Sequence, residues 1–83
     1  MTENRLTISI EYCHPCNYIA RAAWTAQELL MLFGEWTDGI TLVPGDGGVF
    51  ELTVNGQQVY SKKATGKFPD TEELNQTIQK FLS

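Results

Sequence analysis

The chain has little cysteine, little positive charge and no long apolar run. It contains two cysteines in 83 residues, whereas a secreted disulfide scaffold of this size usually carries four or more. Six lysines and arginines stand against ten aspartates and glutamates, which gives a formal net charge of −4. Phosphate backbones attract clustered positive charge, so we expect no nucleic-acid partner. No apolar run approaches the roughly 20 residues of a membrane span, so we expect no membrane partner.

The apolar content is nevertheless sufficient for one core. Hydrophobic residues make up 42% of the chain, which argues against intrinsic disorder. There is no repeat, linker or shift in composition, and we therefore predict a single domain over residues 1–83. The segment from Met1 to Arg5 runs straight into a strand-like pattern and lacks the apolar region of a signal peptide. The expected location is the cytoplasm.

Hydrophobic periodicity predicts the element order β-α-β-β-β-α. The predicted strands cover residues 6–11, 40–43, 49–54 and 57–61. Apolar residues at spacings of three and four predict a first helix from Ile19 to Phe33, which Gly34 ends. Asn55-Gly56 is typical of a two-residue type I′ hairpin turn. A lysine-containing loop then leads to a last helix with Asp70 as its N-cap.

The predicted helix stripes and cap can be stated residue by residue. In the first helix the inward positions are Ile19, Ala22, Ala23, Ala26, Leu29, Leu30 and Phe33. In the last helix Glu73 follows Asp70 by three positions, which predicts a variant of the capping box. The fold class that follows is α/β (α+β): a four-stranded mixed sheet with two helices, in which the first β-α-β unit pairs two strands in parallel.

The candidate chemical site is Cys13-His14-Pro15-Cys16, between the first strand and the first helix. The thiolate is the form that attacks a disulfide, and a free cysteine has a pKa of about 8.5. A helix N-terminus stabilises a thiolate with unpaired N–H groups and partial positive charge, so we expect the motif there. Pro15 suits a first helical turn, and a protonated His14 would stabilise a neighbouring thiolate. The second sulfur can resolve a mixed disulfide formed by the first.

Three other interpretations of the two cysteines remain open but are weaker. A structural staple is disfavoured because residues three apart close a very small loop. A zinc site needs four ligands, and the chain has no other cysteine and no histidine besides His14; we therefore predict no metal. Two inert cysteines would leave the strand before the motif and the proline within it unexplained.

Residues outside the motif are candidates for substrate or partner contacts. Tyr12 and Tyr18 flank the motif and could form an apolar rim, although packing is an equal alternative. Trp24 and Met31 lie outside the main apolar stripe of the first helix. If their side chains are exposed, they indicate a surface that binds a partner; the favoured alternative is that they pack under the sheet or a loop. A partner could also bind through the lysine group Lys62, Lys63 and Lys67, for which a solvated turn is favoured over an anion site.

Taken together, these segments resemble the Rdx family of thioredoxin-like proteins, the group that contains selenoproteins W, T and H. The resemblance covers nearly the whole chain. It rests on the early strand with Cys13-His14-Pro15-Cys16 and on Gly48-Val49-Phe50-Glu51-Leu52, which is similar to the family's G-x-F-E-hydrophobic motif. Ser61-Lys62-Lys63, followed by Gly66 and Pro69, also resembles the family pattern.

The resemblance implies a thioredoxin-like domain with a role in cell redox homeostasis. It implies no bound cofactor, with glutathione or glutathionylated proteins as co-substrate. The region in which thioredoxin completes its active site with a cis-proline corresponds here to Gly47-Gly48-Val49, which has no proline. Gly48, Val49 and Phe50 join Tyr12 and Tyr18 as substrate-groove candidates.

The resemblance leaves the roles of the two cysteines open. By analogy with thioredoxin, Cys13 is the attacking thiolate and Cys16 the resolving one, and we favour this assignment. Selenoprotein W, however, carries selenium at the position of Cys16. Helix geometry also predicts that Cys16 is the more enclosed of the two sulfurs.

Two functions therefore follow from the sequence. The leading one is a thiol–disulfide redox protein that exchanges disulfides with protein or glutathione thiols, a possible oxidoreductase. The alternative is a non-enzymatic, redox-sensing interaction module that docks a partner through Trp24, Met31 or the lysine loop.

Overall fold

The fold is a four-stranded mixed sheet with its helices packed on it. The computed structural model describes residues 5–82, so Met1 to Asn4, part of the segment on which the cytoplasmic expectation rests, lie outside the described residues, as does Ser83. The strands are β1 (Leu6–Cys13), β2 (Thr37–Gly45), β3 (Phe50–Val54) and β4 (Gln57–Ser61). The helices are α1 (Ile19–Phe33), α2 (Lys62–Thr65) and α3 (Thr71–Gln79), and short 3-10 turns cover Gly34–Trp36 and Lys80–Leu82.

The strand order in the sheet is β2-β1-β3-β4. β1 runs parallel to β2 and antiparallel to β3, and β3 runs antiparallel to β4. The parallel strands β1 and β2 require a crossover connection, which α1 supplies, whereas the antiparallel strands β3 and β4 need only a tight turn between them. The α+β class and the four-stranded mixed sheet predicted from the sequence are confirmed.

β1 is one of the two inner strands of the sheet, and its side chains alternate between apolar and polar. Leu6, Ile8 and Ile10 are at most 1% exposed, whereas Thr7 and Glu11 are exposed. Each such buried aliphatic side chain contributes roughly 1.5–3 kcal/mol to folding before the entropy cost is counted. β1 is thereby fixed with one face toward the helices, and its carboxyl end carries Cys13.

The hairpin turn between β3 and β4 forms as predicted. Asn55 and Gly56 both have positive φ, 53° and 80°, as a type I′ turn requires. Asn55 is also tied to β1: its N–H donates to the Thr7 carbonyl, and its side-chain oxygen accepts from the Thr7 N–H, both at 2.8 Å. The turn thus also fixes the position of β3 beside β1.

Helix α1 has a narrower buried stripe than its sequence predicts. Its buried residues are Ala22, Thr25, Ala26, Leu29 and Phe33. The predicted inward positions Ile19, Ala23 and Leu30 are exposed instead. A helix lying on one face of a sheet buries a stripe about 100° wide, and these three residues lie outside it.

The chain after β4 also differs from expectation. The predicted lysine loop contains the short helix α2, capped by the Ser61 hydroxyl, which accepts from the Ala64 N–H at 3.2 Å. Asp70 is the N-cap residue of α3, as predicted, but its side chain makes no capping hydrogen bond. Leu74 and Ile78 bury the inner face of α3.

No helix within residues 5–82 combines the length and apolar character needed to cross a bilayer.

Candidate redox site

Cys13 is the last residue of β1 and is held between two neighbouring segments. Its N–H donates to the Val49 carbonyl at 2.9 Å, and the next N–H, that of His14, donates to the Gly45 carbonyl at 2.9 Å. One segment is the end of β2 and the other immediately precedes β3. The Cys13 side chain is only 1% exposed. The backbone of the first cysteine is therefore rigidly placed and its sulfur is enclosed.

The four residues after Cys13 form a tight turn rather than the start of a helix. The Asn17 N–H donates to the His14 carbonyl at 3.0 Å, and the Tyr18 N–H donates to the Cys13 carbonyl at 3.2 Å. Asn17 has a φ of 65°, a left-handed conformation that asparagine tolerates better than most residues. This turn brings Cys16 back toward Cys13.

The two cysteines form a disulfide. The sulfurs are bonded at 2.13 Å and the Cα atoms are 5.2 Å apart, a separation that is ordinary for a disulfide. The redox pair predicted from the C-x-x-C spacing is thus geometrically able to alternate between a dithiol and an internal disulfide.

The expectation that the motif lies in the first turn of the helix is wrong. Helix α1 begins at Ile19, three positions after Cys16, and Pro15 lies in the turn. Asn17, with a φ of 65°, has a left-handed conformation that a right-handed helix does not contain, so α1 begins only after it. The motif still leads into a helix whose N-terminus has no side-chain cap and no acidic residue in its first turn. Such an end favours nearby negative charge, including that of a thiolate.

The expected order of enclosure is also reversed. Cys16 is exposed, whereas Cys13 is buried. A strand terminus packed between β2 and β3 hides Cys13, and the turn carries Cys16 to the surface. His14 and Pro15 are exposed beside it.

An aromatic cluster lies next to the motif and centres on Phe68. The Phe68 ring meets the Tyr18 ring edge-on at 4.9 Å between centroids and the Phe50 ring edge-on at 5.1 Å. Both are separations at which aromatic pairs attract each other. The segment that carries Phe68 is held by Tyr60, whose hydroxyl donates to the Lys67 carbonyl at 2.8 Å. Tyr18 is consequently fixed between the motif turn and the core.

Two cations lie over this cluster. The Arg21 guanidinium is 4.9 Å from the Phe68 centroid and 5.5 Å from that of Trp24. The Lys62 ammonium is 5.3 Å from the Phe68 centroid and 5.6 Å from that of Tyr18. These are cation–π distances. The negatively charged chain therefore places two positive charges over the aromatic cluster that follows the motif turn.

The substrate-groove candidates divide into buried and accessible residues. Tyr12 is 8% exposed, Val49 9% and Phe50 fully buried, so their side chains are part of the core or its edge. Tyr18 and Gly48 are partly exposed. Val49 nevertheless touches the site through its carbonyl, which accepts from Cys13.

The remaining partner candidates are spread over the surface. Trp24 and Met31 are 45% and 75% exposed, so the packing that we favoured for them does not occur. Lys62 is partly buried against the aromatic cluster, whereas Lys63 and Lys67 are exposed. Only Trp24 and Lys62 in this set lie beside the redox site.

Sequence reasoning missed Phe68 and Arg21. Arg21 lies three positions from both Tyr18 and Trp24, a helical spacing that could have placed the three on one side of α1. Phe68 lies in a loop, where no periodicity reveals which partner a ring will meet.

A cleft of about 530 Å³ lies across the sheet, and none of the four motif residues lines it. Its carboxylates, Glu11 and Glu51, are direct cross-strand neighbours. Glu51 accepts a hydrogen bond from Gln58 at 2.7 Å, and its other carboxylate oxygen is buried without a partner. Within residues 5–82, no three histidine, cysteine or acidic side chains gather in a way that could hold a metal ion.

Comparison with known proteins identifies related chains. The Rdx family model matches residues 7–80. Migration and invasion enhancer 1 from Bos taurus and from Mus musculus are each 37% identical over 75 residues, which cover 88% of this chain. This match spans 62% of the length of either relative.

Solved structures give the same result. A selenoprotein W-related protein from Vibrio cholerae superposes with a TM-score of 0.91 at 38% identity, over 95% of this chain and 99% of that one. A protein from Bordetella parapertussis superposes with a TM-score of 0.89 at 41% identity, over 94% and 99%. The fold, the paired cysteines and these matches together show that the chain belongs to the Rdx family and has the thioredoxin-like fold of its selenoprotein W-related members.

Proposed function

We propose that this protein is a dithiol–disulfide exchange protein in which Cys16 meets the substrate and Cys13 resolves the adduct. The observation that carries the proposal is the disulfide between an exposed and a buried cysteine. An attacking sulfur needs access to another molecule, whereas a resolving sulfur needs only to reach its partner. The burial therefore favours the reverse of the roles that thioredoxin-like logic assigns.

The proposed reaction transfers two electrons to the substrate. The Cys16 thiolate attacks one sulfur of a substrate disulfide, the substrate S–S bond breaks, and one substrate thiolate leaves and takes a proton from solvent. The Cys13 thiolate then attacks the Cys16 sulfur and displaces the second substrate thiol. The products are the Cys13–Cys16 disulfide and two reduced substrate thiols.

Regeneration of the dithiol requires a reductant, for which we propose cellular thiols such as glutathione. Two glutathione molecules would supply the two electrons and leave as glutathione disulfide. A thiol-rich compartment such as the cytoplasm would sustain this cycle. His14, exposed beside Cys16, is proposed to stabilise the thiolate when protonated.

Equilibration with glutathione buffers tests the proposed function. The protein is brought to equilibrium at graded ratios of reduced to oxidised glutathione, quenched with acid, and the internal disulfide is quantified by mass. We expect one cooperative two-electron transition within the cellular range of potentials. A pair that stays reduced or only forms glutathione adducts at every ratio contradicts the proposal, and the double variant Cys13→Ser/Cys16→Ser controls for non-specific mass changes.

A second candidate function is a redox-sensing interaction module, which the exposed apolar residues after the middle of α1 favour. Leu30, Met31 and Trp36 are 43%, 75% and 43% exposed and line one shallow pocket, and grouped exposed apolar side chains are typical of interaction sites. Under this candidate, a partner captured from a lysate remains bound when both cysteines are replaced by serine. Loss of every captured partner on that replacement favours exchange chemistry instead.

A further inference from the structure

The groove beside Cys16 has the chemistry of a substrate-recognition surface. It has a volume of about 550 Å³ and is lined by Asn17, Tyr18, Ala20, Arg21, Trp24 and Phe68. Asn17 follows Cys16 directly in the chain. Cys16 itself does not line the groove, so the groove can contact only the atoms that flank a sulfur bound to Cys16, on the Asn17 side.

One cation, Arg21, lines the groove, and a second, Lys62, lies over the Phe68 ring that also lines it; within residues 5–82 neither is paired with a carboxylate. The recorded ion pair in this range joins Arg5 to Asp38. Because both cations lie over the Phe68 ring at 4.9 and 5.3 Å, they are within about 10 Å of each other. The chain as a whole has a net charge of −4. An anionic partner is thus repelled by most of the surface and attracted at this groove.

We propose that the groove binds polypeptide substrates that carry an acidic side chain two or three residues from the reacting cysteine. This inference rests on the proposed disulfide exchange and names its substrate class. Along α1 the groove extends from Ala20 to Trp24, about 6 Å, and Asn17 and Tyr18 of the turn extend it toward Cys16, so it accommodates about two to three residues of extended chain. Arg21 lies roughly midway, where the side chain of the second flanking residue arrives.

The rest of the groove suits the apolar part of such a peptide. Trp24 and Phe68 supply ring surface; Trp24 is 45% exposed, and within residues 5–82 Arg21 is the one cation over its ring. An aromatic face beside a cation gives a side chain an apolar contact and the neighbouring carboxylate a charge partner. A small anion would use the two cations for binding but would not fill the part of the groove that extends along α1 to Trp24.

The test compares peptide disulfides that differ only in charge. Each substrate is a self-quenched disulfide of two identical labelled peptides with glutamate, glutamine or lysine two residues on either side of the cysteine. Reduced protein is added at about 0.15 M salt, where charges more than about 8 Å apart are largely screened. The rise in fluorescence gives the second-order rate constant of exchange.

We expect the glutamate peptide to react roughly three- to tenfold faster than the glutamine peptide, and the lysine peptide to be slowest. In the double variant Arg21→Gln/Lys62→Gln the ratio of the glutamate rate to the glutamine rate falls toward one. Arg21→Lys keeps a ratio well above one, because the charge remains. Lys63→Gln removes the same charge from the adjacent position, which has no cation–π contact with Tyr18 or Phe68 among residues 5–82, and it keeps the wild-type ratio.

Other outcomes overturn the inference. Equal rates for the three peptides in the wild type, or a loss of preference in Lys63→Gln as large as in the double variant, show that the groove does not select acidic chains. Glutathione disulfide serves as the small-molecule substrate. If its exchange rate falls in the double variant by the same factor as that of the glutamate peptide, the cations bind a small anion instead. If the wild type fails to reduce even the glutamine peptide and glutathione disulfide, the proposed exchange function fails, which is a separate result.

Discussion

Replacing Phe68 with leucine should destabilise the protein more than its partial burial suggests. The ring forms edge-on pairs with Tyr18 and Phe50 and lies beneath the Arg21 and Lys62 cations. Leucine retains most of the apolar volume but has no π-face. The substitution therefore removes four ring-specific contacts and leaves the burial of the position largely unchanged.

The expected loss can be worked from these contacts. Each edge-on aromatic pair contributes roughly 0.5–1.5 kcal/mol beyond the area that it buries. Each partly exposed cation–π contact contributes about 0.5–1 kcal/mol, of which leucine recovers a part through ordinary packing. We expect Phe68→Leu to lower the free energy of unfolding by about 2–3 kcal/mol, equivalent to a decrease in Tm of ~10 °C or more in a domain of this size.

Urea unfolding followed by far-UV circular dichroism measures this loss, with the disulfide kept oxidised in all variants. Phe81→Leu is the matched control, because Phe81 packs against the core without a recorded ring partner among residues 5–82. A loss for Phe68→Leu no larger than for Phe81→Leu would refute the assignment of Phe68 as the centre of the cluster. In the Tyr18→Leu background the cost of Phe68→Leu should decrease by about 1 kcal/mol, since one pair is already absent.

Three further predictions concern the site and its support. In the reduced protein, iodoacetamide should label Cys16 about 100-fold faster than Cys13, because a buried thiol reacts only after local opening. Peptide mapping after a short pulse measures the ratio of the two labelling rates, and equal rates contradict the burial argument. Asn17→Gly should leave the free energy of unfolding within about 0.5 kcal/mol of the wild-type value, whereas Asn17→Val should lower it by ~1–2 kcal/mol, because valine is strained at the positive φ of this position. Urea unfolding measures both variants, and equal losses contradict the strain argument. Thr37→Val should cost about 1–3 kcal/mol in the same assay, since the buried hydroxyl donates to the Leu6 carbonyl at 2.7 Å, and a neutral effect would show that this bond contributes nothing net.

Local patterns predicted much of the fold because the interactions that form it are local or periodic. The alternation along β1 and the Asn55-Gly56 turn need no knowledge of distant residues, and both are found as predicted. The C-x-x-C spacing likewise predicted a pair of sulfurs in reach of each other. Each of these features depends on residues that are close in sequence or related by a fixed period.

The site geometry depended on contacts that the sequence does not display. Helix α1 starts later than predicted because Asn17 is left-handed, in a turn whose His14 N–H donates to the Gly45 carbonyl, 31 positions along the chain. The same strand packing hides Cys13 and leaves Cys16 exposed, which reverses the expected enclosure. Phe68 joins Tyr18 and Phe50 across 50 and 18 positions. No periodicity predicts such pairings.

The trapping of mixed disulfides tests the central claim most directly. Reduced Cys13→Ser and Cys16→Ser variants are mixed with a disulfide-containing substrate, quenched with acid and separated without reductant. The account predicts that Cys13→Ser accumulates a stable substrate adduct through the exposed Cys16, because its resolving sulfur is missing, and that Cys16→Ser accumulates little. Accumulation of the adduct through Cys13 in the Cys16→Ser variant, with none in Cys13→Ser, would contradict it.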